Sequence, residues 1–154
     1  MGNITTHHGD LLASSVDMII HQTNCKGVMG SGIALSIRKK HPEVFRSYQQ
    51  LCLKKGRELL GKAQFIKVSD GTIIANCFGQ NNFGTHAQQT DYKALEHALV
   101  SAANYAAEMD LVRVGLPYKI GCVRGGGDWD TVYAIIQRTF RDYEGETEIW
   151  ALGQ

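Results

Sequence analysis

Two clusters of glycine constrain this chain more than any other feature: Gly27, Gly30 and Gly32, then Gly121, Gly125, Gly126 and Gly127. Glycine weakens helix and strand interiors because it gives up the most backbone freedom on folding. Two glycine-rich loops in a chain of this size therefore make tight turns, or let backbone come close to a ligand. Each follows a strand-like run and leads into a helix-like one. Backbone N–H groups at a helix start have no intrahelical partner and attract anions. Two such loops facing each other could hold a diphosphate between them.

The surrounding pattern builds elements around these loops. Residues 3–8 read as a first strand, stopped by Gly9-Asp10, and residues 16–20 are an apolar run of strand length. Residues 33–38 read as a helix. Pro42 suits the first turn of another, with Val44, Phe45, Tyr48 and Leu51 at helical spacing. Residues 64–68 and 72–78 read as strands around the turn Asp70-Gly71. Residues 91–109 carry a long apolar helical stripe, with Thr90 as the expected N-cap. Residues 111–116 alternate as a strand does, Trp129 to Phe140 mark a last helix, and residues 147–152 a last strand. Helices and strands interspersed in this way predict a three-layer α/β/α sandwich on a central mixed sheet. Its ligand is expected at the carboxyl ends of the strands. The length suits one domain over residues 1–154.

Composition narrows the function classes. Sixteen basic and 15 acidic residues leave a net charge of +1, without the overall basic excess of a typical nucleic-acid binder. No apolar run approaches the ~18 residues of a membrane span. The start, Met1-Gly2-Asn3-Ile4, lacks the regions of a secretory signal. Met1-Gly2 with Thr6 fits the loose myristoylation pattern, but the segment reads as a strand. Cys25, Cys52, Cys77 and Cys122 form no CxxC pair, so reduced thiols and a cytoplasmic location are expected. His21 and Cys25 lack a second pair to complete a zinc site, so no metal and no cofactor are expected. The loop Lys26-Gly27-Val28-Met29-Gly30-Ser31-Gly32 ends without the GK[ST] of a nucleotide-binding P-loop, and GxGxxG, GxSxG and HExxH are absent.

Four segments, in order, carry a resemblance. Gly9-Asp10-Leu11-Leu12 follows the first strand. His21-Gln22-Thr23-Asn24-Cys25 precedes Gly30-Ser31-Gly32-Ile33-Ala34. Asn76-Cys77-Phe78-Gly79-Gln80 ends a central strand. Leu116-Pro117-Tyr118-Lys119-Ile120-Gly121-Cys122 leads to Gly125-Gly126-Gly127-Asp128-Trp129. Together they resemble the macrodomains, in particular the group of the ADP-ribose-1″-phosphatases and ADP-ribosyl-glutamate hydrolases. The resemblance implies binding of ADP-ribose and hydrolysis of its derivatives at the distal ribose C1″. The alternative is a reader without turnover. The implied partner is ADP-ribose or an ADP-ribosylated substrate. A membrane is not expected, nucleic acid enters only as an ADP-ribosylated substrate, and the chain is expected to be a monomer.

The resemblance also implies roles. Asp10, beside Leu11, would accept from the adenine amino group. Gly30, Ser31, Gly32, Ile33 and Ala34 would cradle the diphosphate with Gly121, Cys122, Val123, Arg124 and Gly125. Asn24 would reach the distal ribose, with Phe78 nearby. Asn24, Asp128 and His21 are the candidate catalytic residues. Each has a plainer reading from its residue type: Asp10 as a turn cap, Asn24 as a loop organiser, His21 as a core histidine, Cys122 as a small buried residue and Asp128 as a helix N-cap. The chain departs from the glutamate-linked hydrolases in two places. Gln80 and Asn81 stand where those enzymes carry a lysine, and Gly125 stands near their loop aspartate. Val123 replaces the second glycine of the Gly-Cys-Gly common among relatives.

Overall fold

The central strands are apolar on both faces, so the sheet must be covered on both sides. The computed structural model describes residues 3–152. Met1 and Gly2, on which the myristoylation pattern rests, lie outside them. Six strands form one sheet: β1 (Asn3–His8), β2 (Met18–Thr23), β3 (Ala63–Lys67), β4 (Ile73–Phe78), β5 (Arg113–Pro117) and β6 (Glu146–Ala151), in the order β1-β6-β5-β2-β4-β3. All neighbours run parallel except the edge strand β3, which is antiparallel to β4. The helices are α1 (Gly32–Lys40), α2 (Pro42–Lys55), α3 (Tyr92–Glu108) and α4 (Trp129–Thr139). The expected three-layer sandwich is the one that forms.

Alternation along the strands sorts the core into two. Met18, Ile20, Ala75, Cys77, Val114 and Leu116 face the helices α3 and α4. Ile19, Ile74 and Phe78 face the other way, onto Ile37 of α1 and Val44, Tyr48 and Cys52 of α2. Most boundaries shift by a few residues from the sequence reading, and two of the shifts have a visible cause. β2 begins at Met18 because Asp17 turns its carboxylate onto the N–H groups of Val112 and Arg113, at 3.0 and 2.9 Å. α3 is capped by Asp91, whose side chain accepts from Ala94 N at 3.0 Å, and not by Thr90. No helix among the described residues is long and apolar enough to cross a membrane.

One polar ladder crosses the apolar interior. His21 on β2 is fully buried and lies 2.6 Å from Asn76 Oδ1 on β4. The Asn76 amide nitrogen donates to Gln64 Oε1 on β3 at 3.0 Å. Asn76 therefore presents its oxygen to His21, and His21 Nε2 carries the proton. Nδ1 has no partner. Burial penalises the imidazolium and outweighs the Asn76 hydrogen bond, so the pKa of His21 falls from 6.5 to about 4. The unfolded chain takes up this proton near pH 6.5 while the folded chain does not until about 4. Stability should thus drop as pH falls through that window, by up to about 1.4 kcal/mol per pH unit. His21→Gln removes the titrating group, and urea titrations from pH 6.5 to 4 should show a shallower acid loss than in the wild type. Equal slopes in both proteins would contradict the assignment.

Candidate functional site

At the carboxyl ends of the strands lies a cleft of about 860 Å³, within the ~300–1,000 Å³ typical of small-molecule sites. Its floor follows the sheet order. The turn after β1, with Asp10 and Leu11, makes one end beside Trp150 and Leu152 of β6 and its exit. The loops after β2 and β5 make the middle. Gln80, Phe83, Gly84 and Thr85, after β4, make the far end. Its charged side chains are one carboxylate, Asp10, and two cations, Lys119 and Arg124.

The first glycine loop delivers open backbone donors. Gly30, Ser31, Gly32, Ile33 and Ala34 all line the cleft. Gly32 starts α1 at φ +58°, a left-handed conformation that disfavours a side chain. Ser31 occupies the N-cap, yet its hydroxyl makes no capping bond. The first amides of α1 therefore remain available to the cleft. Behind them, Asn24 organises the loop. Its Oδ1 accepts from Lys26 N at 3.0 Å, its Nδ2 donates to Val28 O at 2.9 Å, and the Tyr48 hydroxyl donates between its backbone O at 2.7 Å and its Oδ1 at 2.8 Å. One amide N–H of Asn24 is left uncommitted.

The second loop is held from below by side chains to which the sequence reading gave no role in it. Thr90 donates its hydroxyl to Gly121 O at 2.6 Å, so its oxygen must accept from Gln22 Nε2 at 2.9 Å. The same Gln22 amide donates to Gln80 Oε1 at 2.5 Å, and Gln80 donates to Asn82 O at 2.7 Å. Gly125 O accepts from the backbone N–H groups of Gln89 and Thr90, at 2.7 and 3.0 Å. This packing leaves no room at residue 125. A Cβ there would overlap Thr90 Oγ1 and stand 2.7 Å from Gly121 O. Glycine at residue 125 is thus sterically required. Gly121, Val123, Arg124 and Gly125 line the cleft, with Val123 strongly exposed.

Four sequence candidates sit elsewhere. Asp128 is outside the cleft and caps α4, accepting from Thr131 N and Oγ1 at 3.0 Å each. His21 is buried in the ladder beneath the sheet, neutral and out of reach of the cleft. Phe78 is fully buried in the α1–α2 core, stacked on Tyr48 at 6.0 Å. Strand alternation puts it there, and exposed Phe83 takes its place on the cleft wall. Cys122 packs against the α3–α4 core, where burial pushes its thiol up to about 11, so it offers no nucleophile. Asp10 does line the cleft while its Oδ1 accepts from Leu12 N at 2.9 Å, so its capping and facing roles coexist. Among the described residues, His7, Glu146 and Glu148 are the one group spaced for a metal. They lie outside the cleft, and Arg113 occupies both carboxylate oxygens of Glu148 at 2.7 and 3.0 Å.

The steric lock on the second loop is testable. Gly125→Ala should destabilise the fold by about 1–3 kcal/mol, the usual cost of overpacking. Thr90→Ala removes the overlapped hydroxyl at the cost of its hydrogen bonds. The double variant should lose clearly less than the sum of the two single losses in urea unfolding. Strict additivity would show that residue 125 and Thr90 do not meet.

With that geometry in hand, the likenesses to known proteins can be placed. The Macro domain family model matches residues 20–136. The chain is 30% identical, over 90% of its length, to a DNA ADP-ribosyl glycohydrolase of Mycobacterium tuberculosis, and spans 39% of that protein. It is 36% identical over 63% of its length to an ADP-ribose 1″-phosphate phosphatase of Candida glabrata, spanning 60% of it. The solved macrodomain of Mycobacterium tuberculosis DarG superposes with a TM-score of 0.85 at 27% identity, over 97% of this chain and 98% of that one. This chain belongs to the macrodomain family.

Proposed function

We propose that residues 1–154 act as one macrodomain that binds ADP-ribose and hydrolyses ADP-ribose derivatives at the distal ribose C1″. The observation that carries the binding is the pair of loops with open backbone amides across one cleft. The uncapped start of α1 and the locked 121–125 loop present donors from opposite sides, as a diphosphate demands. Asp10, the single carboxylate of the cleft, sits at the end expected for adenine and accepts from its amino group. Arg124 adds charge beside the diphosphate. The relatives' names, a phosphatase of ADP-ribose 1″-phosphate and a glycohydrolase of ADP-ribosylated DNA, support chemistry at C1″. The four unpaired cysteines suit a reducing, cytoplasmic setting, and the chain is proposed to act as a monomer.

The distal end shapes the mechanism. Gln22, Asn24, Gln80 and Thr85 line it, and none is ionisable. Hydrolysis here would work by orientation: a water oxygen attacks C1″, the bond from C1″ to the leaving group breaks, and the water proton passes to the leaving group or solvent. Neutral amides fix the ribose and the water, and rigid loop amides hold the diphosphate. The same observation favours a second reading, a reader that binds ADP-ribose without turnover.

Asp10→Ala should weaken ADP-ribose binding about 10- to 150-fold, from the ~1.5–3 kcal/mol of a hydrogen bond to a charged group. Calorimetry on the folded variant checks this, and unchanged affinity would remove Asp10 from the adenine end. Incubation with 1″-substituted ADP-ribose compounds should release free ADP-ribose. Tight binding with no release from any of them would leave the reader.

A further inference from the structure

The net charge of +1 conceals a strong separation of charge. Ten of the 16 basic residues fall between residues 26 and 67, with only two of the 15 acidic ones. That stretch carries eight net positive charges, while the other six basic and 13 acidic residues leave the remainder seven negative. The stretch runs through the first loop, the α1–α2 layer, the turn after it and the edge strand β3 of the sheet. All ten cations are exposed, and among the described residues none forms an ion pair.

Helix ends explain part of this. Arg38, Lys39 and Lys40 close α1 and Lys54 and Lys55 close α2, where cations offset the helix dipole. Lys26, Arg46, Arg57, Lys62 and Lys67 have no such duty. The layer also runs into the distal end of the cleft. The last turns of α2 pack beneath the 24–28 loop, with Cys52 Sγ 3.9 Å from Asn24 O and Gln49 donating to Gly27 O at 3.5 Å. Lys54, Lys55 and Arg57 follow directly, and both Arg57 and Lys26 are close enough to Cys25 to act on its thiol. These cations stand outside the cleft, joined to it through the 24–28 loop that α2 supports. A membrane fits the layer poorly, because Leu53 is the one large apolar side chain exposed on α1 and α2.

We propose that the α1–α2 face binds the phosphodiester backbone of a nucleic acid whose ADP-ribosyl adduct occupies the cleft. The adduct half of this rests on the ADP-ribose reading above; the face itself does not. Repeated phosphates match cations spread along two helices, and their binding is driven by release of counterions.

The test is fluorescence anisotropy with a fluorescein-labelled oligodeoxynucleotide, unmodified, single-stranded or annealed to its complement, titrated at salt between roughly 50 and 200 mM. Calorimetry with free ADP-ribose runs alongside. Wild-type protein should bind the oligonucleotide with steep salt dependence. Lys54→Glu/Lys55→Glu/Arg57→Glu should weaken that binding about tenfold or more and flatten the slope of log affinity against log salt by about two. ADP-ribose affinity should stay unchanged, which also reports folding. Arg141→Glu, an exposed change after α4, should leave both as they were. Failure of wild type to bind either oligonucleotide, an indifferent triple variant, or equal binding to phosphatidylserine vesicles would overturn the proposal. Binding of ADP-ribose without the oligonucleotide retires the face alone. Binding of the oligonucleotide without ADP-ribose retires the adduct and the cleft reading with it.

Discussion

The second loop of this protein stands or falls with one buried hydroxyl. Thr90 gives its proton to Gly121 O and takes one from Gln22, so the end of β2, the loop after β4 and the loop after β5 meet at a single oxygen. That contact leaves no space for a Cβ at residue 125, and the loop keeps a bare backbone where it lines the cleft. A polar network of this kind is high-stakes. Each bond made ties the loops together, and with one partner removed the others are stranded in a low dielectric; Gln22 Oε1 already has no partner here. Here the rigidity is spent on holding two sets of N–H groups at a fixed separation, which is what recognition of a diphosphate asks of a scaffold.

The cleft and the surface around it divide the electrostatic labour. Inside, backbone dipoles, a single carboxylate and the two cations Lys119 and Arg124 line the cleft. Outside, the stretch of residues 26–67 that carries α1 and α2 is strongly positive and the rest of the chain negative, although the sum is close to zero. The sheet sets α1 and α2 on one side, apart from α3 and α4 on the other. A macromolecular substrate would sense this field well before its adduct reaches the cleft, since cationic faces steer polyanions at long range.

Much of this was legible in the chain. β1 and the starts of α1, α2 and α4 follow from glycine, proline and apolar spacing. The two glycine loops, readable because helix starts and tight turns are local properties, line the middle of the cleft. What escaped was set by tertiary packing. Phe78 looked like a cleft wall, but its strand position points it into the core, and only the path of the following loop brings Phe83 to the surface. Asp128 and His21 had the right chemistry for catalysis. A helix start and a ladder to Asn76 claim them instead. Thr90 looked like a cap because caps are short-range. Its real partners are Gln22 and Gly121, remote in sequence. The charge separation escaped for another reason: a net sum erases where charges sit.

The central claim is that backbone amides of both loops grip one diphosphate. Titration of ¹⁵N-labelled protein with ADP-ribose, followed by amide chemical shifts, tests it most directly. The account predicts that the largest shifts fall on Gly32, Ile33 and Ala34 and on Gly121, Val123, Arg124 and Gly125 at the same ligand concentrations. Shifts confined to one loop, or concentrated on α1 and α2 away from the cleft, would contradict it.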